Sequence, residues 1–254
     1  MKTLFAGLAF AVAVASPVFA ADSKPTVVLV HGAFADSSSW NGVVKVLEKD
    51  GYPVISAANP LRGVGSDAKY VADLVKGIKT PVVLVGHSYG GPVISAAAYG
   101  NANVKSLVYV AAFAPDVGET VAELSGRYPG GTLSAALTPP VELADGGKDL
   151  YIQQDKFHAQ FAADVPEAEA RLMAAAQRPI TVAALNEPAT DPAWKTLPSW
   201  FVYGDQDKNI PPKALAFMAE RAHARQTVVV KGGSHVVMVS HPHTVADLIE
   251  KAAK

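Results

Sequence analysis

Apolar residues in this chain fall into short unbroken runs, separated by segments in which apolar residues recur every three or four positions. An unbroken run such as Thr26-Val27-Val28-Leu29-Val30 predicts a strand buried on both faces of a parallel sheet. The three- and four-residue spacing predicts amphipathic helices between the strands. This alternation predicts an α/β chain with a mostly parallel, doubly wound sheet and helices on both of its faces.

Turn and capping residues set the expected bounds of these elements. Strands are expected at 26–31, 53–58, 82–85, 104–112, 200–203 and 227–230. Helices are expected at 40–50 with an N-cap from the Ser37-Ser38-Ser39 run, from a Ser66 cap through 78, and at 92–99, 149–162, 166–177, 213–224 and 244–252.

The alternation lapses between residues 113 and 197, where Pro and Gly pairs interrupt the pattern. Sheet-like sequence returns afterwards, and no long polar linker intervenes. We therefore expect one domain over 21–254, with a cap inserted at about 113–197 over the C-terminal edge of the sheet, rather than a second, unrelated domain.

The first twenty residues differ in character from the rest of the chain. Met1-Lys2 supplies a positive start, an apolar stretch follows, and Val18-Phe19-Ala20 ends in the small residue that signal peptidases accept. A membrane anchor is the alternative, but the apolar stretch is short and polar residues follow it. We expect a signal peptide at 1–20 and export to the periplasm or the medium.

Composition limits the kinds of partner. The 254 residues are 50% hydrophobic and 18% charged, with a formal net charge of -1 and no basic run, so nothing favours binding to nucleic acid or an anionic membrane. No apolar run in the body is long enough for a membrane span. A neutral small-molecule substrate fits better, for a monomer or homodimer. Cysteine is absent, so no disulfide indicates the compartment.

The segment Gly86-His87-Ser88-Tyr89-Gly90 stands between a predicted strand and a predicted helix. A Gly-x-Ser-x-Gly turn in that position is typical of a nucleophile elbow, where a strained Ser88 stands clear of the backbone and side chains at positions 86 and 90 would collide. An ordinary glycine-rich turn is the alternative. The Tyr89 N–H would point at the space above Ser88, where negative charge gathers on an attacked carbonyl.

Residues for the base and its supporting acid follow two later strands. His235 lies just past the strand at 227–230, as a general base would. The loop after the strand at 200–203 carries both Asp205 and Asp207, and either could orient the imidazole. Asp205 could instead bond backbone N–H groups of its turn.

With Ser88, Asp207 and His235 in this order, the chain resembles the α/β-hydrolase superfamily over its whole mature length. The resemblance selects Asp207, because the family pattern of Gly, Asp three residues later and Pro four residues after that matches Gly204, Asp207 and Pro211. It implies that the loop after the first strand supplies the other oxyanion N–H, from Ala33. It also implies no metal or organic cofactor.

Within the superfamily, the chain looks most like the group of plant methyl esterases and hydroxynitrile lyases, with exported bacterial relatives. In the lyases a lysine follows the catalytic histidine and a threonine stands where this chain has Gly32. Here Val236 follows His235, so no cation is at hand to stabilise departing cyanide. The resemblance therefore implies the esterase branch.

Several other side chains have ordinary roles available. We expect His31 and His87 to brace their loops by hydrogen bonds, and His158 and His223 to lie on helix surfaces, with His158 within reach of substrate as an alternative. Two histidines without a supporting carboxylate pattern do not make His241-Pro242-His243 a metal site. Among the apolar residues, Phe34 and Phe113 are candidate walls of a substrate pocket, whereas Met238, Phe157 and Phe161 are expected in the core.

The sequence thus predicts a serine hydrolase with a Ser88, His235 and Asp207 triad that cleaves small to medium, uncharged carboxylic esters through an acyl-enzyme. A lactone or amide hydrolase, or a carbon–carbon lyase on the same triad, is the alternative among enzymes. A ligand receptor that kept the fold is the alternative from another class, but a receptor has no need of a full triad with both oxyanion loops.

Overall fold

The computed structural model describes residues 24–254, so the predicted signal peptide at 1–20 lies outside the described residues. A six-stranded, fully parallel sheet forms the centre. Its strands are β1 (Thr26–Val30), β2 (Val54–Ala57), β3 (Val82–His87), β4 (Val104–Val110), β8 (Ser199–Gly204) and β9 (Gln226–Val230), and they lie side by side in the order β2-β1-β3-β4-β8-β9.

Strand burial follows the apolar pattern of the sequence. Every residue of β1 and β3 is buried, as the unbroken apolar runs predicted for strands covered on both faces. The outer strand β9 alternates in exposure, because successive side chains point to opposite faces of the sheet and one of these faces is less covered here. The parallel, doubly wound α/β prediction is confirmed.

Ten α-helices flank and cap the sheet in residues 24–254. They are α1 (Asn41–Lys49), α2 (Val64–Lys76), α3 (Gly90–Ala98), α4 (Val121–Gly126), α5 (Gln154–Phe161), α6 (Glu167–Ala176), α7 (Val182–Asn186), α8 (Pro212–Arg221), α9 (Val237–Ser240) and α10 (Pro242–Ala252). None of them is long and apolar enough to cross a membrane.

Two of the predicted N-caps were wrong. Ser37–Trp40 forms a 3-10 turn before α1, and the cap is Asp36, whose carboxylate accepts from the Ser38 N–H at 2.7 Å. Helix α2 begins before Ser66, whose hydroxyl donates to the Gly63 carbonyl at 3.1 Å inside the first turn. In both places a serine near the helix start was mistaken for the cap.

Helices α5 and α6 lie within the helical stretches predicted for segment 113–197. The sequence pattern did not indicate α4, α7 or the small antiparallel sheet of β5 (Val141–Glu142), β6 (Lys148–Leu150) and β7 (Ile180–Thr181). The helix predicted from residue 149 actually begins at Gln154. Asp149 belongs to β6 instead, where it pairs with Thr181 and its carboxylate meets Arg62 Nη1 at 2.7 Å.

Segment 113–197 is hydrogen-bonded to loops at the C-terminal edge of the central sheet. The Phe34 N–H, after β1, donates to the Arg178 carbonyl at 3.0 Å. The Leu61 carbonyl, after β2, accepts from the Thr181 N–H at 3.2 Å. The segment therefore covers the edge where the loops after β1 and β2 emerge, which is where ligands bind in open α/β sheets.

Candidate active site

Ser88 directly follows β3 and has a backbone φ of 54°, in the left-handed region that side-chain-bearing residues seldom adopt. Its N–H donates to the Val110 carbonyl at 3.2 Å, and its carbonyl accepts from the Phe113 N–H at 3.2 Å. Both bonds hold the strained turn against the end of β4. The strain predicted for this serine is confirmed.

Glycines make the turn sterically feasible. A Cβ on Gly86 would lie 2.5 Å from the Gly90 carbonyl oxygen, and a Cβ on Gly90 would lie 2.5 Å from the Val30 oxygen. The predicted collisions at both positions are confirmed. A Cβ on Gly32 would lie 2.6 Å from Ser88 Cβ, so this glycine lets the loop after β1 approach the turn around Ser88.

His235 and Asp207 form a buried pair at the same edge of the sheet. The His235 Nδ1–H donates to Asp207 Oδ2 at 2.7 Å, with the two side chains 1% and 0% exposed. The other carboxylate oxygen, Oδ1, accepts from the N–H groups of Asn209 at 2.8 Å and Ile210 at 3.0 Å. This arrangement fixes the imidazole tautomer, leaving Nε2 as the nitrogen that is free to accept a proton.

Asp205 has a different environment. Its Oδ1 accepts from the Gly232 N–H at 2.7 Å, which joins the end of β8 to the turn after β9. The side chain is partly exposed and has no hydrogen bond to His235. The competition between the two aspartates is therefore decided by contact, because Asp207 alone of the two bonds the imidazole.

Ser88 and His235 line one narrow cavity of about 60 Å³ between the sheet edge and segment 113–197. In the described chain no hydrogen bond joins the Ser88 hydroxyl to the imidazole, a common condition in enzymes without bound substrate. Both predicted pocket aromatics also line the cavity. The remaining walls are Ala33, Phe34, Tyr89, Phe113, Val121, Ala122, Ser125, Leu133, Leu185, Asn209 and Ile210.

The backbone N–H groups of Ala33 and Tyr89, which lie at the cavity next to Ser88, have no acceptor among the described residues. Both residues are buried, at 5% and 1% exposure. A Cβ on Gly32 would lie 3.2 Å from the Tyr89 nitrogen, so the loop after β1 and the turn at Ser88 meet here. Buried N–H groups without partners are rare, and this pair lies beside the hydroxyl that would attack a carbonyl.

His31 braces the loop after β1, as expected. Its Nε2 accepts from the Asn59 N–H at 3.0 Å and its Nδ1–H donates to the Gly32 carbonyl at 3.0 Å. Burial lowers the pKa of His31 to about 4, and nearby Arg178 adds to that effect. The imidazole is therefore neutral near pH 7 with both nitrogens occupied, which leaves it no part in proton transfer.

His87 supports the loop that carries His235. Its Nε2–H donates to the His235 carbonyl at 3.1 Å, and the two rings are 4.7 Å apart. Complete burial, and then repulsion from His235, hold the pKa of His87 well below its usual range. A neutral ring at this point spares the His235 imidazolium a neighbouring positive charge.

The other histidines have local partners or lie in solvent. His158 Nε2–H donates to the Val165 carbonyl at 2.9 Å, so it is committed to its own loop rather than to the cavity. His223 is exposed in the turn after α8. His241 bonds the Ser240 hydroxyl at 2.9 Å and lies 3.6 Å from Asp164.

The aromatic and sulfur side chains divide as the sequence suggested. Phe34 and Phe113 line the cavity, whereas Phe157, Phe161 and Met238 are fully buried. Phe161 also packs against the His235 ring, with centroids 5.2 Å apart.

Apart from Phe113, sequence reasoning missed the walls that segment 113–197 contributes. Val121, Ala122 and Ser125 lie in or beside α4, while Leu133 and Leu185 come from other parts of the segment. The one available signal was the four-residue spacing of Val121 and Ser125, which is typical of one face of a helix. A six-residue helix is too short for that spacing to be recognised in the sequence. Asp67, buried on α2 with a hydrogen bond to Tyr89, was also missed.

Comparisons with known proteins agree with this geometry. The model of the alpha/beta hydrolase family matches residues 27–248. The chain is 25% identical to an alpha-hydroxynitrile lyase of Arabidopsis thaliana, over 91% of this chain and 98% of the lyase. It is 23% identical to methylesterase 9 of the same plant, over 89% and 97% respectively. The crystal structure of polyneuridine aldehyde esterase superimposes with a TM-score of 0.79 at 16% identity, covering 91% of this chain and all of that one.

Proposed function

Because the chain belongs to the alpha/beta hydrolase family, we propose that it hydrolyses carboxylic esters of uncharged substrates through an acyl-enzyme on Ser88. The observation that carries the proposal is the buried Asp207 and His235 pair, joined at 2.7 Å and lining the same cavity as the strained Ser88. An ordinary glycine-rich turn has no need of such a pair.

The first half of the reaction transfers the acyl group to the enzyme. His235 Nε2 accepts the Ser88 proton while Oγ attacks the ester carbonyl, and Asp207 stabilises the imidazolium that results. The N–H groups of Ala33 and Tyr89 hold the oxyanion. As the tetrahedral intermediate collapses, His235 gives its proton to the departing alcohol and the acyl-enzyme remains.

The second half returns the enzyme to its starting state. His235 takes a proton from a water molecule, whose oxygen attacks the acyl-enzyme carbonyl. The same two N–H groups hold the second oxyanion. Collapse breaks the bond to Ser88 Oγ, which recovers the proton from His235, and the carboxylic acid leaves. Every proton is carried by His235, so no metal or organic group is needed for the balance.

The cavity walls support uncharged substrates. Apart from His235, no side chain lining the cavity is a Lys, Arg, His, Asp or Glu among the described residues. An acyl group carrying a charge would lose its hydration without gaining a partner there. The narrow cavity, about 60 Å³, favours short acyl groups over long ones.

Carbon–carbon cleavage of hydroxynitriles is the second candidate, because one relative is an alpha-hydroxynitrile lyase. Such a reaction must stabilise cyanide as it departs. The residue after His235 is the fully buried Val236, and the walls offer no Lys or Arg. Ester hydrolysis, whose leaving alcohol takes its proton from His235, needs no such cation.

Export is part of the proposal, resting on the charged, apolar and small-residue regions of residues 1–20. Expressed from its full gene in a Gram-negative host, the protein should be recovered from the periplasm or medium with Ala21 as its first residue. Recovery of the intact chain in the membrane fraction would show instead that the leader is an anchor.

The test of function is a substrate panel on the purified mature protein. p-Nitrophenyl esters from acetate to decanoate, a lactone, an anilide and mandelonitrile are compared for wild type and Ser88→Ala. We expect turnover of the short esters, weak or no cleavage of mandelonitrile, and a loss of at least about 10⁴-fold in the variant. Mandelonitrile cleavage faster than ester hydrolysis, or full activity in Ser88→Ala, would refute the proposal.

A further inference from the structure

Asp67 is a fully buried carboxylate in the first turn of α2. Its Oδ2 accepts from the Tyr89 hydroxyl at 3.0 Å and from the Arg62 N–H at 3.1 Å. The Ser66 hydroxyl adds a longer contact to Oδ1 at 3.4 Å. Nothing in the reaction uses this carboxylate directly, so its burial calls for another explanation.

The main chain and the side chain of Tyr89 lie in two different environments. Its N–H lies at the cavity without an acceptor in the described chain, whereas its ring is buried and its phenol bonds Asp67. The Tyr89 pKa is raised far above its usual range, by burial first and then by the Asp67 charge. The phenol therefore keeps its proton and donates it to the carboxylate.

Asp67 is itself firmly placed. Leu61, with a φ of 62°, turns the chain so that the Arg62 N–H meets the carboxylate. The Arg62 guanidinium reaches across to Asp149 at 2.7 Å and to the Pro179 carbonyl at 2.8 Å, both in segment 113–197. Arg62 thus joins the turn that holds the Asp67 carboxylate to that segment.

We propose that Asp67 is a positioning residue of the oxyanion site, which orients the Tyr89 N–H by holding the Tyr89 phenol. The inference rests on the proposed function. Ser88 already occupies a strained φ, so the peptide between Ser88 and Tyr89 would relax if the phenol were released. Productive geometry tolerates displacements of only about 0.5 Å, and the loss would fall on the transition state, where the oxyanion exists.

Two variants test the proposal: Tyr89→Phe, which removes the phenol hydroxyl, and Asp67→Asn, which sets an amide against the Arg62 N–H. Each should lower kcat for a short p-nitrophenyl ester about tenfold, less than the 10² to 10³ typical for outright loss of an oxyanion donor. KM should change less than twofold. The double variant should be no worse than either single one, because the two residues act as one unit.

Affinity for an alkyl boronic acid supplies a readout that a purely structural role would not move. Its tetrahedral adduct on Ser88 needs the oxyanion donors, so its affinity should fall in step with kcat, about tenfold. Tyr70→Phe is the matched control, since Tyr70 lies on the same helix but is 47% exposed. It should leave kcat, KM and boronate affinity unchanged. Thermal melts establish that each variant is folded.

The outcomes separate this inference from the proposed function. An active wild type beside a folded Tyr89→Phe with unchanged kcat and boronate affinity would overturn the inference alone. A higher KM at unchanged kcat, or losses that add in the double variant, would also overturn it. A wild type without ester turnover would overturn both. Should Asp67→Asn not fold, Tyr89→Phe alone decides the matter.

Discussion

The C-terminal edge of the central sheet and segment 113–197 provide opposite walls of the same cavity, but they are built differently. On the sheet side, backbone contacts place each group: Gly86 and Gly90 leave no room for a Cβ, and Asp207 is held by two N–H groups. On the other side, the walls are apolar side chains such as Val121, Leu133 and Leu185, from three separate parts of the segment.

This difference divides the proposed chemistry from substrate choice. A Cβ added at Gly86 or Gly90 would lie below van der Waals distance from backbone atoms, so substitutions at this sheet edge should cause losses of turnover. Apolar side chains that line the cavity tolerate exchange, so these walls in the segment, and the Phe34 ring in the loop after β1, should respond with altered preference among substrates. Mutations on the two sides can break or sharpen the contrast, and their expected effects differ by orders of magnitude.

The largest effect is expected at Asp207. Asp207→Asn keeps the shape of the side chain but offers the imidazole an amide, which favours the wrong tautomer. Turnover should fall by about 10⁴, as for the equivalent change in another serine hydrolase. Asp205→Asn is the matched control, because it loses only part of a turn contact worth about 1 kcal/mol. Steady-state rates with thermal melts decide the matter; a dead Asp205→Asn beside an active Asp207→Asn would reverse the roles.

A smaller loss is expected when a methyl group is added at Gly32. The new Cβ would lie 2.6 Å from Ser88 Cβ and 2.7 Å from the His87 carbonyl, so the loop after β1 must withdraw with the Ala33 N–H. We expect kcat to fall about 10²-fold. Gly126→Ala, where a Cβ meets nothing within 4 Å, serves as the control. Equal kcat for Gly32→Ala and wild type would show that this loop does not support the reaction.

The buried histidines make stability at the sheet edge depend on pH. His31 has a folded-state pKa of about 4 against about 6.5 when unfolded, so the unfolded state binds the extra proton between these values. Stability is therefore fully present above pH 6.5 and falls as the pH drops. Between pH 7.5 and 5, His31 alone should cost about 2 kcal/mol, roughly 30-fold in the unfolding equilibrium.

Urea unfolding of wild type and His31→Gln at both pH values checks this prediction. His87, whose pKa is also depressed, adds to the wild-type loss in the same direction. The glutamine variant should therefore lose about 2 kcal/mol less than wild type between the two pH values. An identical pH dependence in the two proteins would contradict the buried, neutral state of His31.

Substitution of Phe34 is expected to change turnover least but to change the preference among acyl chain lengths. This ring separates the cavity from a larger surface groove of about 440 Å³ lined by Leu172 and Met173. Phe34→Ala should join the two spaces and raise the octanoate-to-acetate ratio of kcat/KM about tenfold. Met173→Ala, which alters the groove without opening the partition, should leave the ratio unchanged. An unchanged ratio in Phe34→Ala would show that the groove takes no part in acyl binding.

The same contrast explains what the sequence could predict. The turn at Ser88 is local: glycine spacing between a strand and a helix prescribes its strain, and the structure has Ser88 at a φ of 54°. His235 and Asp207 were placed because parallel strands end at one edge of the sheet. Choosing Asp207 over Asp205 needed family resemblance, since both follow the same strand.

Segment 113–197 resisted prediction because its stability depends on long-range contacts. Strands of two or three residues such as β5 and β7 carry no period that can be recognised in sequence, and Asp149 joined β6 by pairing with Thr181. The two wrong N-cap predictions, at Ser37–Ser39 and at Ser66, have a related cause. Serine is favoured both as an N-cap and in the first turn of a helix, so composition alone does not tell the two positions apart.

The central claim is that Ser88 is a nucleophile activated by His235, and covalent labelling tests it most directly. The mature protein is treated with a fluorophosphonate, digested and analysed by peptide mass spectrometry, alongside Ser88→Ala and His235→Ala. We predict one adduct, on the peptide that carries Ser88, absent in Ser88→Ala and formed at least about 10²-fold more slowly in His235→Ala. Label on Ser125, the other serine lining the cavity, or an unlabelled wild-type protein would contradict the claim.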